Sequence, residues 1–349
     1  MVKPNRVTAR DVAVRAGVSP ATVSKALSGR GAVHPDTRDR ILVVARELDF
    51  KSPHLGRLDA TSPRTVGLVT RDPFGRRTAP VLLGAVEALA ERDIAVLVCD
   101  GRADLIREQY FVDSLLQRRV DGILVAGGPH GSFTRPPLRG DVAVPVVYMM
   151  SASTDPDDIS VVPDDSGACR LATHHLVETG RRHIACILGP QREEAAKAKT
   201  AATTAALAEH GLSLVTDVLF GHWNEQWGRQ AALQLLRADG PLDGIVCGND
   251  LIARGAIAAL QEAGLSVPGD VAVVGFDNYH AMVEGSRPQL TSIDLNLAEV
   301  GRVAAAELIR SIDAGRPRPG ATTTIECQLV PRESTAVTAA STTRRSRRH

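Results

Sequence analysis

From residue 65 onward, short apolar runs alternate with longer amphipathic segments, and this alternation narrows the fold more than any other feature of the chain. Residues 66–69 read as a buried strand, and 79–92 as a helix with Leu82, Leu83, Val86 and Leu89 turned inward. Residues 94–99 read as a strand, 103–119 as a helix and 122–126 as a strand. The cycle restarts after Ser160: helix 165–179, strand 183–188, helices 195–210 and 224–237, strand 244–247, helix 250–263 and strand 271–275. A last helix is expected over about 297–312. Apolar strands separated by amphipathic helices form parallel sheets covered on both faces. Two such blocks predict two doubly wound lobes, and in such sheets ligands bind beyond the carboxyl ends of the strands.

The chain has 349 residues, with 44% hydrophobic and 23% charged side chains, which excludes a disordered chain, a fibre and a disulfide miniprotein. No apolar run approaches the roughly 18–20 residues of a membrane helix. The first ten residues, MVKPNRVTAR, lack the apolar stretch of a secretory signal. Cys99, Cys169, Cys186, Cys247 and Cys327 are scattered, so a reducing, cytoplasmic setting is expected.

The net charge of +1 hides an asymmetry. Residues 1–64 hold twelve Lys/Arg and six Asp/Glu, whereas residues 65–335 hold 25 and 34. The tail from Ala336 adds four Arg and no acid, and is expected to be disordered. A basic head on an acidic body suits a chain that meets a polyanion with one end, although a solvated charged face would look the same by charge alone.

Within that head, Thr8-Ala9-Arg10-Asp11 has the spacing of a capping box. Gly17 suits the left-handed residue that ends a short helix. Ser19-Pro20 is a second start signal, with Val23, Ala26 and Leu27 on the inner face. Two short helices separated by Gly17-Val18 match a helix-turn-helix, and a third is expected over about 35–48 with Ile41, Val44, Ala45 and Leu48 inward. The outward face of the second helix is Pro20, Ala21, Ser24, Lys25 and Ser28. Small side chains let such a helix enter a major groove about 12 Å wide, and Lys25 has the reach for guanine O6 or N7. Thr22 and Ser24 have hydroxyls that can bind phosphates.

Residues 7–13 and 16–25 (VTARDVA, AGVSPATVSK) closely resemble the head of the lactose/galactose repressor family of bacterial transcription regulators. The likeness continues through Thr37-Arg38 and Leu48-Asp49-Phe50 and covers almost the whole chain. It implies a small all-α head (1–50), a linker (51–64) and an α/β body (65–335) similar to periplasmic sugar-binding proteins. It also implies three crossings between lobes, near Val161, Thr291 and Ala321. One lobe would then hold about 65–161 and 292–321, and the other about 162–291 and 322–335. By the same likeness Lys25, Pro20 and Ala21 occupy base-reading positions, and Thr8, Ser19, Thr22, Ser24, Ser28 and Thr37 complete the candidate DNA contacts. Family members carry a hinge helix ending in a Leu that wedges the minor groove. Here Gly56 and Asp59 break that pattern, and Leu55 and Leu58 are the nearest wedge candidates.

Polar or aromatic residues follow several expected strands: Arg71-Asp72, Met149-Met150, Asn249-Asp250 and Phe276-Asp277-Asn278. By resemblance, Asn249 and Asp277 bind hydroxyls or amides of a small effector, and Trp223 stacks on it. Lys199 stands where most members have Arg, and Met150 where some have an acid. Arg76, with Arg77 and Arg71, points to an anionic effector or else to a solvated basic loop. Asp250 suits a helix N-cap better than a ligand contact, and Trp223 or Trp227 equally suit packing. No phosphate loop, dinucleotide fingerprint, nucleophile elbow or defensible acid/base pair is found, and His174-His175 and His183 lack a matching ligand cluster. No catalysis, metal or cofactor is therefore expected.

The chain thus reads as a homodimeric regulator, taken as a repressor, of palindromic double-stranded DNA, controlled by a sugar or sugar-derived effector. The alternatives are a solute receptor without DNA activity, or a corepressor-dependent or activating regulator on the same scaffold.

Overall fold

The computed structural model describes residues 8–28, 33–48, 50, 64–72, 75–127, 133–140, 142–238, 240–315 and 319–336. The linker expectations, Leu55 and Leu58 among them, and those for the tail beyond Ala336 lie outside these residues. The chain divides into two compact units, Met1–Arg64 and Thr65–His349.

The first unit holds α1 (Ala9–Ala16), α2 (Pro20–Ser28) and α3 (Pro35–Glu47). Thr8 caps α1 in a full capping box: its backbone N–H donates to Asp11 Oδ2 at 2.7 Å, and its Oγ1 accepts from the Asp11 N–H. Gly17, at φ 65°, closes the helix in the left-handed conformation that a β-carbon disfavours. Val12, Ala13, Ala16, Val23, Ala26, Ile41, Val44 and Ala45 form the core, with Leu48 and Phe50 packed against it.

The second unit runs β1 (Thr65–Thr70), α4 (Thr78–Ala90), β2 (Ala95–Asp100), α5 (Leu105–Gln117), β3 (Gly122–Ala126), β4 (Phe133–Arg135), β5 (Val146–Met149), β6 (Ser151–Ser153) and β7 (Ile159–Pro163). It continues with α6 (Asp165–Glu178), β8 (Ile184–Leu188), α7 (Glu194–Ala208), β9 (Leu219–Phe220), α8 (Glu225–Arg237), β10 (Gly244–Cys247) and α9 (Asp250–Glu262). It ends with β11 (Ala272–Phe276), α10 (His280–Val283), β12 (Thr291–Asp294), α11 (Leu297–Ala314), β13 (Ala321–Ile325) and β14 (Gln328–Val330). One sheet has the order β13-β7-β5-β3-β1-β2, the other β14-β12-β11-β10-β8-β9, and β4 pairs with β6 alone. All strand pairs are parallel except β12 with β14. In each sheet the winding reverses beside the first strand, between β1 and β3 and between β8 and β10, which opens a crevice at the strand ends.

The lobe crossings fall later than the likeness implied. Strand β12 lies wholly in the second sheet, so the crossing expected at 291/292 comes after Asp294. Strand β13 lies in the first sheet, so the crossing expected at 321/322 comes after Ile325. Each crossing waits until its strand has completed its ladder, β12 between β11 and β14 and β13 at the edge beside β7, and that adds the few residues.

Helix α4 also differs from its expected orientation. Leu83 is 62% exposed and Val86 37%, while Val81, Gly84, Ala85 and Leu89 are buried. The reason lies in α11: a β-carbon on Gly84 would sit 2.0 Å from the Ala298 carbonyl oxygen, and one on Gly301 2.0 Å from that of Val81. The two helices meet backbone to backbone through glycine, so the small side chains face inward and the leucine does not. Gly228 of α8 and Gly255 of α9 make the same contact in the other lobe. We expect Gly84→Ala to force α4 off α11 and lower the stability of the body by about 1–3 kcal/mol, read as an earlier denaturant midpoint.

Candidate functional site

In the head, Ser19 Oγ accepts from the Thr22 N–H at 3.0 Å and shares a 2.8 Å hydrogen bond with Thr22 Oγ1. Both hydroxyls thus anchor the first turn of α2, and Thr22 is half-buried. Pro20, Ala21, Ser24 and Lys25 are exposed along one helical strip, opposite buried Val23 and Ala26. Ser28 ends α2, and Thr37 is half-buried on α3.

In the body, the strand ends of the two lobes meet along a buried seam. Arg77, just before α4, donates from Nη1 to Asp277 Oδ1 at 3.1 Å across the lobes, and the two side chains are only 4% and 6% exposed. Asp277 follows β11 in a left-handed conformation, φ 93°, with Asn278 at φ 47°. Such backbone persists only where its surroundings over-determine it. Here the Asp277 N–H donates to the Ile293 carbonyl, the Asn278 N–H to Ser292 Oγ, and Arg332 Nη2 to Asn278 Oδ1. Arg76 lies over the Tyr279 ring of the other lobe, 5.9 Å from its centroid.

Asn249 caps α9, its Oδ1 accepting from the Ile252 N–H at 2.9 Å. The cap is therefore Asn249 and not Asp250. Asp250 is fully buried, accepts from Ser292 Oγ at 2.6 Å and from the Tyr279 N–H at 2.8 Å, and braces the turn that carries Asp277. Burial, with Asp277 close by, pushes the Asp250 carboxyl well above the usual carboxylate range.

Trp223 lies across the crevice of the second sheet. A β-carbon on Gly189, after β8, or on Gly248, after β10, would strike its indole ring. Its Nε1 donates to Glu193 Oε2 at 2.7 Å. Lys199, 3% exposed on α7, sets Nζ 3.5 Å from the centroid of the Phe276 ring. Buried Arg76 Nη1, Arg77 Nε and Nη2, Thr78 Oγ1, Ser151 Oγ and Lys199 Nζ have no hydrogen-bond partner. Arg38 Nε, Arg181 Nε and Thr203 Oγ1 elsewhere are likewise without one, and buried donors of this kind can be met by the acceptors of a ligand or of water.

Residues 8–52 match the family described as bacterial regulatory proteins, lacI family, and residues 173–335 match a periplasmic binding protein-like domain. The chain is 32% identical to the HTH-type transcriptional regulator reg1 of Streptomyces lividans, over 93% of this chain and 96% of that one. It is 28% identical to the HTH-type transcriptional repressor PurR of Glaesserella parasuis serovar 5, over 89% and 92%. A solved transcriptional regulator CelR-cellobiose complex matches with a TM-score of 0.65 at 29% identity, covering 94% of this chain and all of that one. The chain belongs to the lacI family of bacterial regulatory proteins. Its head is a helix-turn-helix, its body has the periplasmic-binding-protein-like architecture, and it is a transcription regulator.

Of the residues picked out in this lacI-family regulator, Arg76, Lys199, Trp223, Asn249 and Asp277 lie on the seam or at the strand ends beside it. Arg71 is half-buried, reaches the Ala103 carbonyl at 3.4 Å and lies over Phe133. Asp72 is half-buried beside Gly75. Met150 is fully buried in the apolar core at φ 56°. Trp227 packs in the second lobe, its Nε1 bonded to the Leu188 carbonyl. Thr78, Glu193 and Tyr279 carry no motif signal, and only the fold reveals them. The histidines are scattered: His174 pairs with Glu209, His175 with Thr335 and His183 with Asp243. Among the described residues no group of three His, Cys, Asp or Glu side chains is placed to hold a metal ion, and no helix is long and apolar enough to cross a membrane.

Removing one partner of a buried ion pair leaves an uncompensated charge, at a cost of about 3–5 kcal/mol. In Asp277→Asn the lobes can relieve that cost by parting and letting water reach Arg77. We expect the variant to show a larger radius of gyration in small-angle scattering of the intact chain; an unchanged value would mean that the pair does not hold the lobes together.

Proposed function

We propose that this regulator is a repressor that binds a palindromic operator as a homodimer and is switched by a small sugar-derived effector held in the seam. The observation that carries this reading is Trp223 lying across the β8/β10 crevice, in a body whose two lobes each hold buried donors with no acceptor. An indole face suits the C–H face of a sugar ring, and the surrounding donors suit its oxygens. The solved relative in complex with cellobiose supports the same ligand class.

The exposed strip of α2 is the proposed reading surface. Lys25 supplies a donor for a guanine edge, Ala21 a methyl for thymine, and Ser24 a phosphate contact. One small head makes few base contacts, and pairing two heads reads an inverted repeat. The proposed pairing face is on the first lobe. There β2 is an edge strand whose successive residues Leu97 and Val98, pointing to opposite faces, are both exposed. Leu83 and Val86 of α4 and Ile106 and Tyr110 of α5 are exposed as well. An uncovered apolar edge of this kind is a ready surface for a second copy. An effector that favours one lobe arrangement shifts the population of that arrangement, and operator affinity changes by the same coupling energy, typically about 1–3 kcal/mol.

Selection of genomic fragments by the purified chain should return inverted-repeat sequences; enrichment no better than scrambled DNA would remove the reading. Lys25→Ala should weaken binding to the selected site by about 1–3 kcal/mol and relax preference at one base step per half-site, measured by fluorescence anisotropy at fixed salt.

A further inference from the structure

We propose that the effector carries an anionic group, a carboxylate or a phosphate ester, and that the Nε/Nη2 edge of Arg77 binds it. This deepens the effector-controlled reading above and rests on it.

A guanidinium presents two donors along its Nε/Nη2 edge at the spacing of two oxygens of a carboxylate or phosphate. In Arg77 the single bond to Asp277 is made by Nη1, so that edge is left over. Both of its nitrogens are buried and unpartnered, on a residue 4% exposed. The group cannot shed its proton to escape the cost of burial. A neutral hydroxyl would satisfy the donors singly, whereas an oxyanion satisfies both and brings the opposing charge.

The neighbours favour the same chemistry. Arg77 precedes α4, a thirteen-residue helix with no side-chain cap bond and no acid in its first turn, so no side chain of the helix itself compensates the positive end of its dipole. Thr78, its first residue, is fully buried with Oγ1 unpartnered, and Arg76 Nη1 is buried and unpartnered beside it. Lys199 Nζ lacks a hydrogen-bond partner and lies against Phe276, the residue before Asp277. Of the acids nearby, Asp277 pairs with Arg77, Asp250 is buried with its carboxyl pushed up towards the neutral form, Glu193 takes the Trp223 N–H, and Asp72 lies beside Gly75.

The test is a titration of the full chain, followed by tryptophan fluorescence and confirmed by calorimetry, with gluconate, glucose 6-phosphate, inorganic phosphate, glucose and cellobiose. At least one organic anion should bind about tenfold or more tightly than glucose, and the carboxylate and phosphate arms show which oxyanion is preferred. Arg77→Lys keeps the charge for Asp277 but loses the two-donor edge, and should weaken that anion about tenfold or more. Because Arg77 also holds the lobes, Arg76→Gln, which leaves the Arg77–Asp277 pair in place, serves as a second variant and should weaken the anion without changing the melting temperature. A neutral sugar binding as tightly as the anions, anion binding unchanged in both variants, or no anion binding at all, overturns the inference. Operator release by a neutral sugar would overturn it while leaving effector control standing; loss of all sequence-selective DNA binding would instead sink the regulator reading itself.

Discussion

Parallel strand pairing governs this molecule. Parallel neighbours cannot be joined by a tight turn, so each connection must cross over a face of the sheet, and here most of them do so as helices. The carboxyl ends of all the parallel strands then point the same way, and the loops that leave them converge. Two sheets of matching order place two such ends face to face. The seam, with Arg76 and Arg77 on one side and Trp223, Asn249 and Asp277 on the other, follows from that constraint. So does the exposed β2 edge, because a sheet wound in both directions from an inner strand leaves an end strand on each side.

The seam combines rigidity with incompleteness. Its turn after β11 is held in left-handed backbone by bonds from Asp250, Ser292, Ile293 and Arg332, so Asp277 stands at a set height above the sheet. Across it, Arg77 uses one nitrogen for that carboxylate and leaves its other edge unmet. A pocket of this kind can act as a switch because its unsatisfied donors are best matched by one ligand in one lobe arrangement. Differential affinity between arrangements is what lets a ligand change an equilibrium. Burial pushes the thiol of Cys169 up to about 11, and those of Cys186 and Cys327 up to about 12, which disfavours the reactive thiolate.

How far the residues alone foretold the structure can be followed helix by helix. The capping box at Thr8, the Gly17 stop and the Ser19 start are contacts within one turn, and all three form as read. Strands 122–126 and 244–247 are found at the expected residues, because a buried parallel strand is a plain apolar run. Helix α4 defeated the same method. Its apolar residues run nearly all round, so spacing alone could not choose between Leu83 and Ala85 as the inward residue. Asn249 and Asp250 are both good caps by type, and the choice between them was made by Ser292 and the Tyr279 N–H, which hold the buried Asp250 side chain away from the helix end.

Spacing in the chain therefore accounts for the helix-turn-helix, the alternating α/β body, the basic head and the set of strand ends where a ligand belongs, since each of these is written within a turn of helix or a few residues of strand. It could not supply the backbone contact of Gly84 with Ala298, the sheet to which β12 and β13 belong, or the bond between Arg77 and Asp277, which stand 200 positions apart. Those depend on how completed elements stack and on which buried charges are left to find each other once water is excluded, and no local pattern of residues encodes that.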